Sequence, residues 1–139
     1  MQLGNHVLKT WASTQSVIAL STGEAEFYAI TKGASQALGL RSMMQDLGWN
    51  ANIKILTDAT TGKSIASRRG LGKLRHIEVS NLWIQEQVFK GAIAVVKVKN
   101  IYNSADIGTK HLDRAAMEAC LEQMDFAAAL GRSEVAPET

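Results

Sequence analysis

The sequence predicts an α/β domain in which a mixed β-sheet is flanked by helices. Two observations lead to this class: two short strand-like segments near the N-terminus, and later strand-like segments that alternate with helical ones. The 139 residues are enough for one domain with a hydrophobic core, and 46% of them are apolar against 20% that are charged. We expect one domain over residues 1–130 and a flexible C-terminal tail over residues 131–139.

Composition excludes several other classes of protein. No apolar run approaches the roughly 18 residues of a membrane span, and the N-terminus lacks the order of a signal peptide. The single cysteine, Cys120, excludes an internal disulfide and is typical of a small buried hydrophobic residue. The three histidines are too scattered to form a local zinc finger. These features favour a reducing, intracellular compartment.

The N-terminal part of the chain predicts a β-hairpin followed by a long helix. Strand-like alternation covers His6–Ala12 and resumes in Ser16–Leu20 after a turn. Ser21 or Thr22 can cap the next helix, and its apolar residues keep helical spacing towards Leu47. This helix is the longest predicted element.

The rest of the chain alternates strands and helices. We expect, in order, strand Asn52–Thr57, helix Thr60–Arg69, helix His76–Phe89, strand Ala92–Lys99 and a last helix from Asp113 to Phe126. Strands joined through helices favour parallel pairing, and α/β proteins gather their chemistry beyond the carboxyl ends of parallel strands. The antiparallel hairpin and the parallel strands together predict one mixed sheet.

Three carboxylates lie near element boundaries and far apart in sequence. Glu26 lies early in the long helix, Asp58 ends a central strand, and Asp106 opens the segment after the last strand. An α/β fold can assemble such residues into a cluster, and hard cations such as Mg²⁺ bind oxygen ligands. Each residue also has a structural interpretation from the pattern alone. Asp58 and Asp106 could be cap or turn residues, and Glu26 could be a solvated glutamate of the first turns.

Residues Ala59–Ile77 form a basic segment with no acidic residue. Its cationic side chains, with a neighbouring histidine, are Lys63, Arg68, Arg69, Lys73, Arg75 and His76. A basic segment beside carboxylates suits a phosphate backbone, so these residues are candidate nucleic-acid contacts. A solvated surface loop is the alternative interpretation.

Several motifs of the chain occur in a defined order. They are Trp11–Gln15, Ile18–Ala29 (Ile-Ala-Leu-Ser-Thr-Gly-Glu-Ala-Glu-Phe-Tyr-Ala), Leu56-Thr-Asp58, Arg75-His-Ile-Glu-Val79 and Ala105-Asp-Ile-Gly-Thr-Lys110. Together they resemble the RNase H domain of copia-type LTR retrotransposon Pol polyproteins. The resemblance covers about Gly4 to Leu112 and implies an RNase H-like fold.

The resemblance also implies an activity and its partners. In this family the domain belongs to the reverse-transcriptase portion of the polyprotein and cleaves the RNA strand of RNA–DNA hybrids with two Mg²⁺ (or Mn²⁺) ions held by four carboxylates. Glu26, Asp58 and Asp106 resemble three of those catalytic and metal-binding residues. Glu26 is preferred to Glu24 because Phe-Tyr-Ala follows it directly, as in the family motif. The implied location is a retrotransposon particle in the cytoplasm or nucleus, without a membrane partner.

The sequence departs from the family pattern in one respect. The family's first aspartate lies on a strand before the hairpin, whereas no Asp or Glu precedes Glu24 here. We therefore expect a fold that lacks its first strand, and an isolated chain with weak or no nuclease activity. A missing strand leaves a sheet edge exposed, through which a second copy of the chain could pair as a homo-oligomer.

Overall fold

The computed structural model describes residues 1–70, 72, 77, 79–99 and 103–126. Its strands are β1 (Gln2–Leu3), β2 (His6–Val7), β3 (Ile53–Thr57) and β4 (Ile93–Lys97). Its α-helices are α1 (Thr22–Asp46), α2 (Thr60–Ser67), α3 (Trp83–Phe89) and α4 (Arg114–Gln123). The predicted α/β class is confirmed.

The chain divides into two compact units. The central unit comprises Ala12–Asn103, and the terminal unit contains Met1–Trp11 together with the described residues from Ser104 onward. The central unit therefore holds β3, β4 and helices α1 to α3, whereas the terminal unit holds β1, β2 and α4.

Local sequence signals define both ends of α1. The Ser21 hydroxyl accepts a hydrogen bond from the Glu24 N–H at 3.2 Å, which satisfies one of the donors that a helix start leaves open. At the other end, Gly48 adopts a φ of +82° and its N–H donates to the Gln45 carbonyl at 2.9 Å. Glycine favours this left-handed conformation after a helix, so the predicted extent of α1 is confirmed.

Strands β3 and β4 pair in parallel, from Ile53 opposite Ile93 to Thr57 opposite Lys97. Alternate side chains of the pair are buried, and Ile53, Ile93 and Val95 pack with apolar residues of the helices. The helical part of this core is Phe27, Tyr28, Ile30, Ala34, Ile65, Ala66 and Ile84. The core thus fixes α1, α2 and α3 against this sheet and places the carboxyl ends of both strands beside the start of α2.

The N-terminal hairpin differs from the prediction. Strands β1 and β2 pair antiparallel, with Gln2 opposite Val7 and Leu3 opposite His6, and Gly4 supplies the positive φ of the two-residue turn. Ser16–Leu20 is not a strand, although Val17 and Ala19 pack on the core while Ile18 and Leu20 are exposed. Among the described strands there are thus two separate two-stranded sheets, and the single mixed sheet was wrong.

The C-terminal elements are shorter than predicted. A 3₁₀ turn, Val79–Leu82, leads into α3, and the first predicted residues of that helix include His76, which lies outside the described residues. Helix α4 begins after Asp113, whose carboxylate accepts from the Ala116 N–H at 2.8 Å. It ends before Asp125, which has a positive φ. The predicted tail over residues 131–139 also lies outside the described residues.

Cys120 on α4 is buried, as predicted. Within the described ranges, none of the helices is long and apolar enough to cross a membrane.

Candidate functional site

Asp58 lies at the carboxyl end of β3, where the parallel pair ends. The N-cap position of α2 is occupied by Ala59, so the alternative that Asp58 is the N-cap of this helix is wrong. The Ala59 N–H donates to the Thr57 hydroxyl at 3.1 Å, which shapes the turn from strand to helix. Asp58 is half-buried in this turn. It thus lies beyond the carboxyl end of a parallel strand, the region where α/β proteins often bind ligands.

Glu24 and Glu26 have different surroundings, although both are on α1. Glu24 is only 1% exposed, and its carboxylate accepts from the Leu20 N–H at 2.9 Å and from the Tyr28 hydroxyl at 3.2 Å. These contacts make Glu24 part of the cap at the helix start. Glu26 is half-buried and lies where α1 meets α2.

Two glycines allow α1 and α2 to approach closely. A Cβ at Gly62 would lie 3.0 Å from the Glu26 Cβ and 3.1 Å from the Ile30 Cδ1, and a Cβ at Gly23 would overlap the Thr61 side chain. Gly62 is in the first turn of α2, which directly follows Asp58 and Ala59. The close crossing therefore places Glu26 beside the first turn of α2, the helix that begins two residues after Asp58. The sequence pattern did not single out these glycines, although a glycine inside a helical pattern often indicates close packing.

Asp106 belongs to the terminal unit, in the 3₁₀ helix Ser104–Gly108. It is 8% exposed, and the Lys110 Nζ lies 2.9 Å from its Oδ2. Its backbone carbonyl accepts from the N–H groups of Thr109 and Lys110. Asp106 is thus the third residue of the 3₁₀ helix, and its carbonyl closes the turn that follows it.

Glu26, Asp58 and Asp106 carry the oxygen ligands that Mg²⁺ prefers, so the chemistry of the donors fits a divalent cation. Across the described residues, however, no group of three or more His, Cys, Asp or Glu side chains could hold a metal ion. The structure therefore places Glu26 beside the first turn of α2 and Asp58 directly before that helix, without displaying a complete metal centre among the described residues.

Of the predicted nucleic-acid contacts, Lys63, Arg68 and Arg69 are described, whereas Lys73, Arg75 and His76 lie outside the described residues. Arg69 is exposed, and its guanidinium carbon lies 3.7 Å from the centroid of the Phe89 ring. A cation–π contact of this kind positions the guanidinium of Arg69 over the Phe89 ring at the protein surface. Lys97, at the carboxyl end of β4, is also exposed and donates to the Thr60 hydroxyl at 2.6 Å.

Gln85 holds the turn that carries Arg68 and Arg69. Its buried side chain accepts from the Gly70 N–H at 2.8 Å and donates to the carbonyls of Ile65 at 2.9 Å and Gly70 at 3.1 Å. An open pocket of about 280 Å³ lies beside it, lined by Arg69, Gly70, Leu82, Gln85, Glu86 and Phe89. The sequence did not predict this role of Gln85. The available signal was a polar residue that directly follows the apolar Ile84 in a predicted helix.

The acidic residue of this pocket, Glu86, forms an ion pair with Lys90. The hydrogen bond from Lys90, at 2.6 Å, and the charge of Lys90 hold the pKa of Glu86 below its ordinary value. Both side chains are largely exposed, so the pair contributes little to stability. Its effect is to reduce the negative charge that an anion would meet beside Arg69.

We expect Gln85→Met to lower the free energy of unfolding by about 2 kcal/mol, because the Gly70 N–H and the Ile65 carbonyl lose their buried partner. Urea denaturation followed by circular dichroism measures the change. Gln87→Met is the matched control, since Gln87 is on the same helix and its side chain makes no hydrogen bond within the described residues. Equal losses of stability in both variants would contradict the role of Gln85 in holding the turn that carries Arg68 and Arg69.

Comparison with known proteins adds a family context. A stretch of 116 residues is 30% identical to the retrovirus-related Pol polyprotein from transposon TNT 1-94 of Nicotiana tabacum, covering 81% of this chain. This chain is similar to a segment of plant transposon Pol polyproteins. A second relative, the retrovirus-related Pol polyprotein from transposon RE1 of Arabidopsis thaliana, is 25% identical over 138 residues, or 97% of the chain.

The chain spans about 9% of the length of each of these Pol polyproteins. The expected similarity to retrotransposon Pol polyproteins is confirmed by the two relatives. No protein-family model matches the chain. No solved structure matches it either.

Proposed function

We propose that the chain is the RNase H-like segment of a copia-type retrotransposon Pol polyprotein. The observation that carries the proposal is the junction of α1, β3 and α2. There, Gly62 lets Glu26 approach the first turn of α2, directly after Asp58. Two further observations support the proposal: both carboxylates belong to motifs that occur in the family's order, and Pol polyproteins of plant transposons are similar over most of the chain.

The proposed substrate is an RNA–DNA hybrid, and the proposed partner is the reverse-transcriptase portion of the same polyprotein. Glu26, Asp58 and Asp106 would supply carboxylate oxygens to Mg²⁺ or Mn²⁺ ions, whose chemistry in such a site is to activate a water for phosphodiester hydrolysis. Lys63, Arg68 and Arg69 would neutralise backbone phosphates. In this proposal the hybrid is bound by the turn that carries Arg68 and Arg69, which Gln85 holds in place.

In the family this chemistry uses four carboxylates, and Glu26, Asp58 and Asp106 would be three of them. We therefore propose that the chain binds hybrid and cleaves it weakly or not at all. A labelled RNA–DNA hybrid, incubated with Mg²⁺ or Mn²⁺, tests this. Any cleavage is expected to be lost in Asp58→Asn and kept in Asp46→Asn, a control at the exposed end of α1. Cleavage that survives Asp58→Asn would refute the assigned mechanism.

Charge reversal at Arg69 tests the proposed interface. We expect Arg69→Glu to weaken hybrid binding about tenfold at low salt and to reduce the slope of log affinity against log salt by about 1. Fluorescence anisotropy across a salt series measures both quantities. Arg114→Glu changes charge by the same amount on α4, where the Arg114 side chain is 88% exposed, and is expected to leave affinity nearly unchanged. Equal losses in the two variants would refute an interface at Arg69.

A second candidate function is a self-associating module without nuclease activity. Ile18 and Leu20 are 88% and 70% exposed, in the uncharged stretch Ala12–Gly23. The stretch keeps the alternation of a strand, and an uncharged segment can pair with its own copy without repulsion between like charges. Sedimentation velocity over a range of concentrations tests this function. A chain that stays monomeric at every concentration would contradict this second function.

A further inference from the structure

The open pocket of the central unit includes the exposed aromatic ring of Phe89, the last residue of α3. Its volume of about 280 Å³ is just below the range of about 300–1,000 Å³ that is usual for sites of drug-sized ligands, so one small ring system fits it. Phe89 is 68% exposed, although it lines the pocket. The pocket therefore offers an aromatic surface to a ligand in solution.

The guanidinium of Arg69 lies over this ring. Its central carbon is 3.7 Å from the centroid of the Phe89 ring, and Arg69 is itself exposed. Aromatic rings and arginine planes are both surfaces on which unpaired nucleobases stack. The charge of Arg69 also suits the phosphate of the same nucleotide. The two side chains thus combine the two features that bind single-stranded nucleic acid.

The turn that carries Arg69 is held in place by α3. Gly70 has a φ of +78°, and the Gln85 side chain accepts from its N–H at 2.8 Å and donates to its carbonyl at 3.1 Å. The same amide donates to the Ile65 carbonyl at 2.9 Å. Because these bonds hold the residue that follows Arg69, less ordering is needed when a ligand binds, which favours affinity.

The lining of the pocket favours a flat group that is bound by stacking over one that is recognised by hydrogen bonds. Leu82 and Phe89 supply apolar surface. Both N–H groups of the Gln85 amide are already used, and the Glu86 carboxylate accepts from Lys90 at 2.6 Å. Inside a duplex both faces of a base are covered by its neighbours, so a base that stacks here is an unpaired one.

We propose that Phe89 and Arg69 form a stacking site for an unpaired nucleobase, so that the chain prefers a hybrid with a single-stranded tail to a blunt hybrid. The preference among hybrids rests on the proposed function, whereas the stacking site itself does not. Because every base has a flat face, the site is expected to discriminate little between bases.

Fluorescence anisotropy with three labelled ligands tests the site. They are a blunt RNA–DNA hybrid, the same hybrid with an unpaired DNA tail of a few nucleotides, and the same tail without its bases. The intact tail is expected to raise the affinity of the unmodified chain about tenfold over the blunt hybrid, which is the order of effect that stacking of one base has. The abasic tail keeps the phosphates and is expected to give much less. An equal gain from both tails would mean that only phosphates are bound, and would overturn the inference.

Variants of the ring locate the effect. Phe89→Leu keeps an apolar side chain without the ring, and is expected to reduce the gain from the intact tail to that from the abasic tail. Phe89→Tyr keeps a ring and is expected to keep the gain. Trp49→Leu is the matched control, since it removes a ring that is 65% exposed and does not line the pocket. The ratio of tailed to blunt affinity is compared within each variant, and an equal loss in Phe89→Leu and Trp49→Leu would overturn the inference.

A short single-stranded DNA, with and without its bases, separates this inference from the proposed function. A chain that binds no hybrid, but binds the intact strand more tightly than the abasic one through Phe89, contradicts the proposed function alone. A chain that binds the blunt hybrid and gains nothing from the intact tail contradicts the stacking site alone.

Discussion

Replacement of Phe27 by alanine is expected to lower the free energy of unfolding by about 4 kcal/mol. Phe27 is fully buried in the core formed by α1, α2, α3 and the β3–β4 pair, and its ring centroid lies 6.2 Å from that of Tyr28. The loss combines the transfer of a large apolar side chain with the cavity that remains in a close-packed interior. Urea denaturation followed by circular dichroism measures it.

Phe89→Ala is the control for this change. Phe89 is 68% exposed and contacts Arg69 at the surface, so its removal is expected to cost about 1 kcal/mol or less. A similar loss from both variants would contradict the described core. Because Phe27 directly follows Glu26 on α1, Phe27→Ala is also expected to weaken any hybrid cleavage more than Phe89→Ala does, through movement of the helix.

The elements that sequence predicted well are those with signals inside the element. Helix α1 has a capping serine at its start, apolar residues at helical spacing and a left-handed glycine after its end. Strands β3 and β4 are short apolar runs separated by helices, and this connection requires a crossover that favours parallel pairing. Neither prediction required knowing which residues, far away in sequence, each element contacts.

The N-terminal prediction was wrong because strand alternation does not identify a partner. Ser16–Leu20 alternates as a strand would, and the structure retains that alternation as packing of Val17 and Ala19 on the core. A ladder also requires a neighbouring backbone at the correct register, which depends on residues far away in sequence. The two residues Gly4 and Asn5 instead closed a shorter hairpin locally.

The candidate site shows the same limit. Glu26 and Asp58 could be selected as candidates because each lies near an element boundary that the sequence indicates. Gly62 and Gln85 were missed because their roles depend on packing between α1 and α2, and between α2 and α3. The burial of Asp106 and its ion pair with Lys110 likewise depend on side-chain placement that motif spacing does not specify.

The second large effect is expected at Glu24. Glu24→Ala should lower the free energy of unfolding by about 3 kcal/mol, because the Leu20 N–H and the Tyr28 hydroxyl both lose a charged acceptor at the start of α1. Glu26→Ala should cost about 1 kcal/mol or less, since Glu26 is half-buried and alanine is the best helix former. Urea denaturation of the two variants measures this difference.

The same two variants decide which glutamate serves the proposed chemistry. If Glu24 has a structural role, Glu24→Ala lowers stability. If Glu26 is the metal ligand, Glu26→Ala keeps the fold but loses any Mn²⁺-dependent cleavage of the hybrid. Glu24→Gln separates charge from shape, because the amide oxygen can still accept from the Leu20 N–H and should recover part of the lost stability. If Glu26→Ala is the less stable variant, or if cleavage depends on Glu24 in a chain that remains folded, the assignment of Glu26 is wrong. The reason for expecting otherwise is physical: a carboxylate that is 1% exposed and already accepts two hydrogen bonds cannot bind an ion without breaking the cap of its own helix.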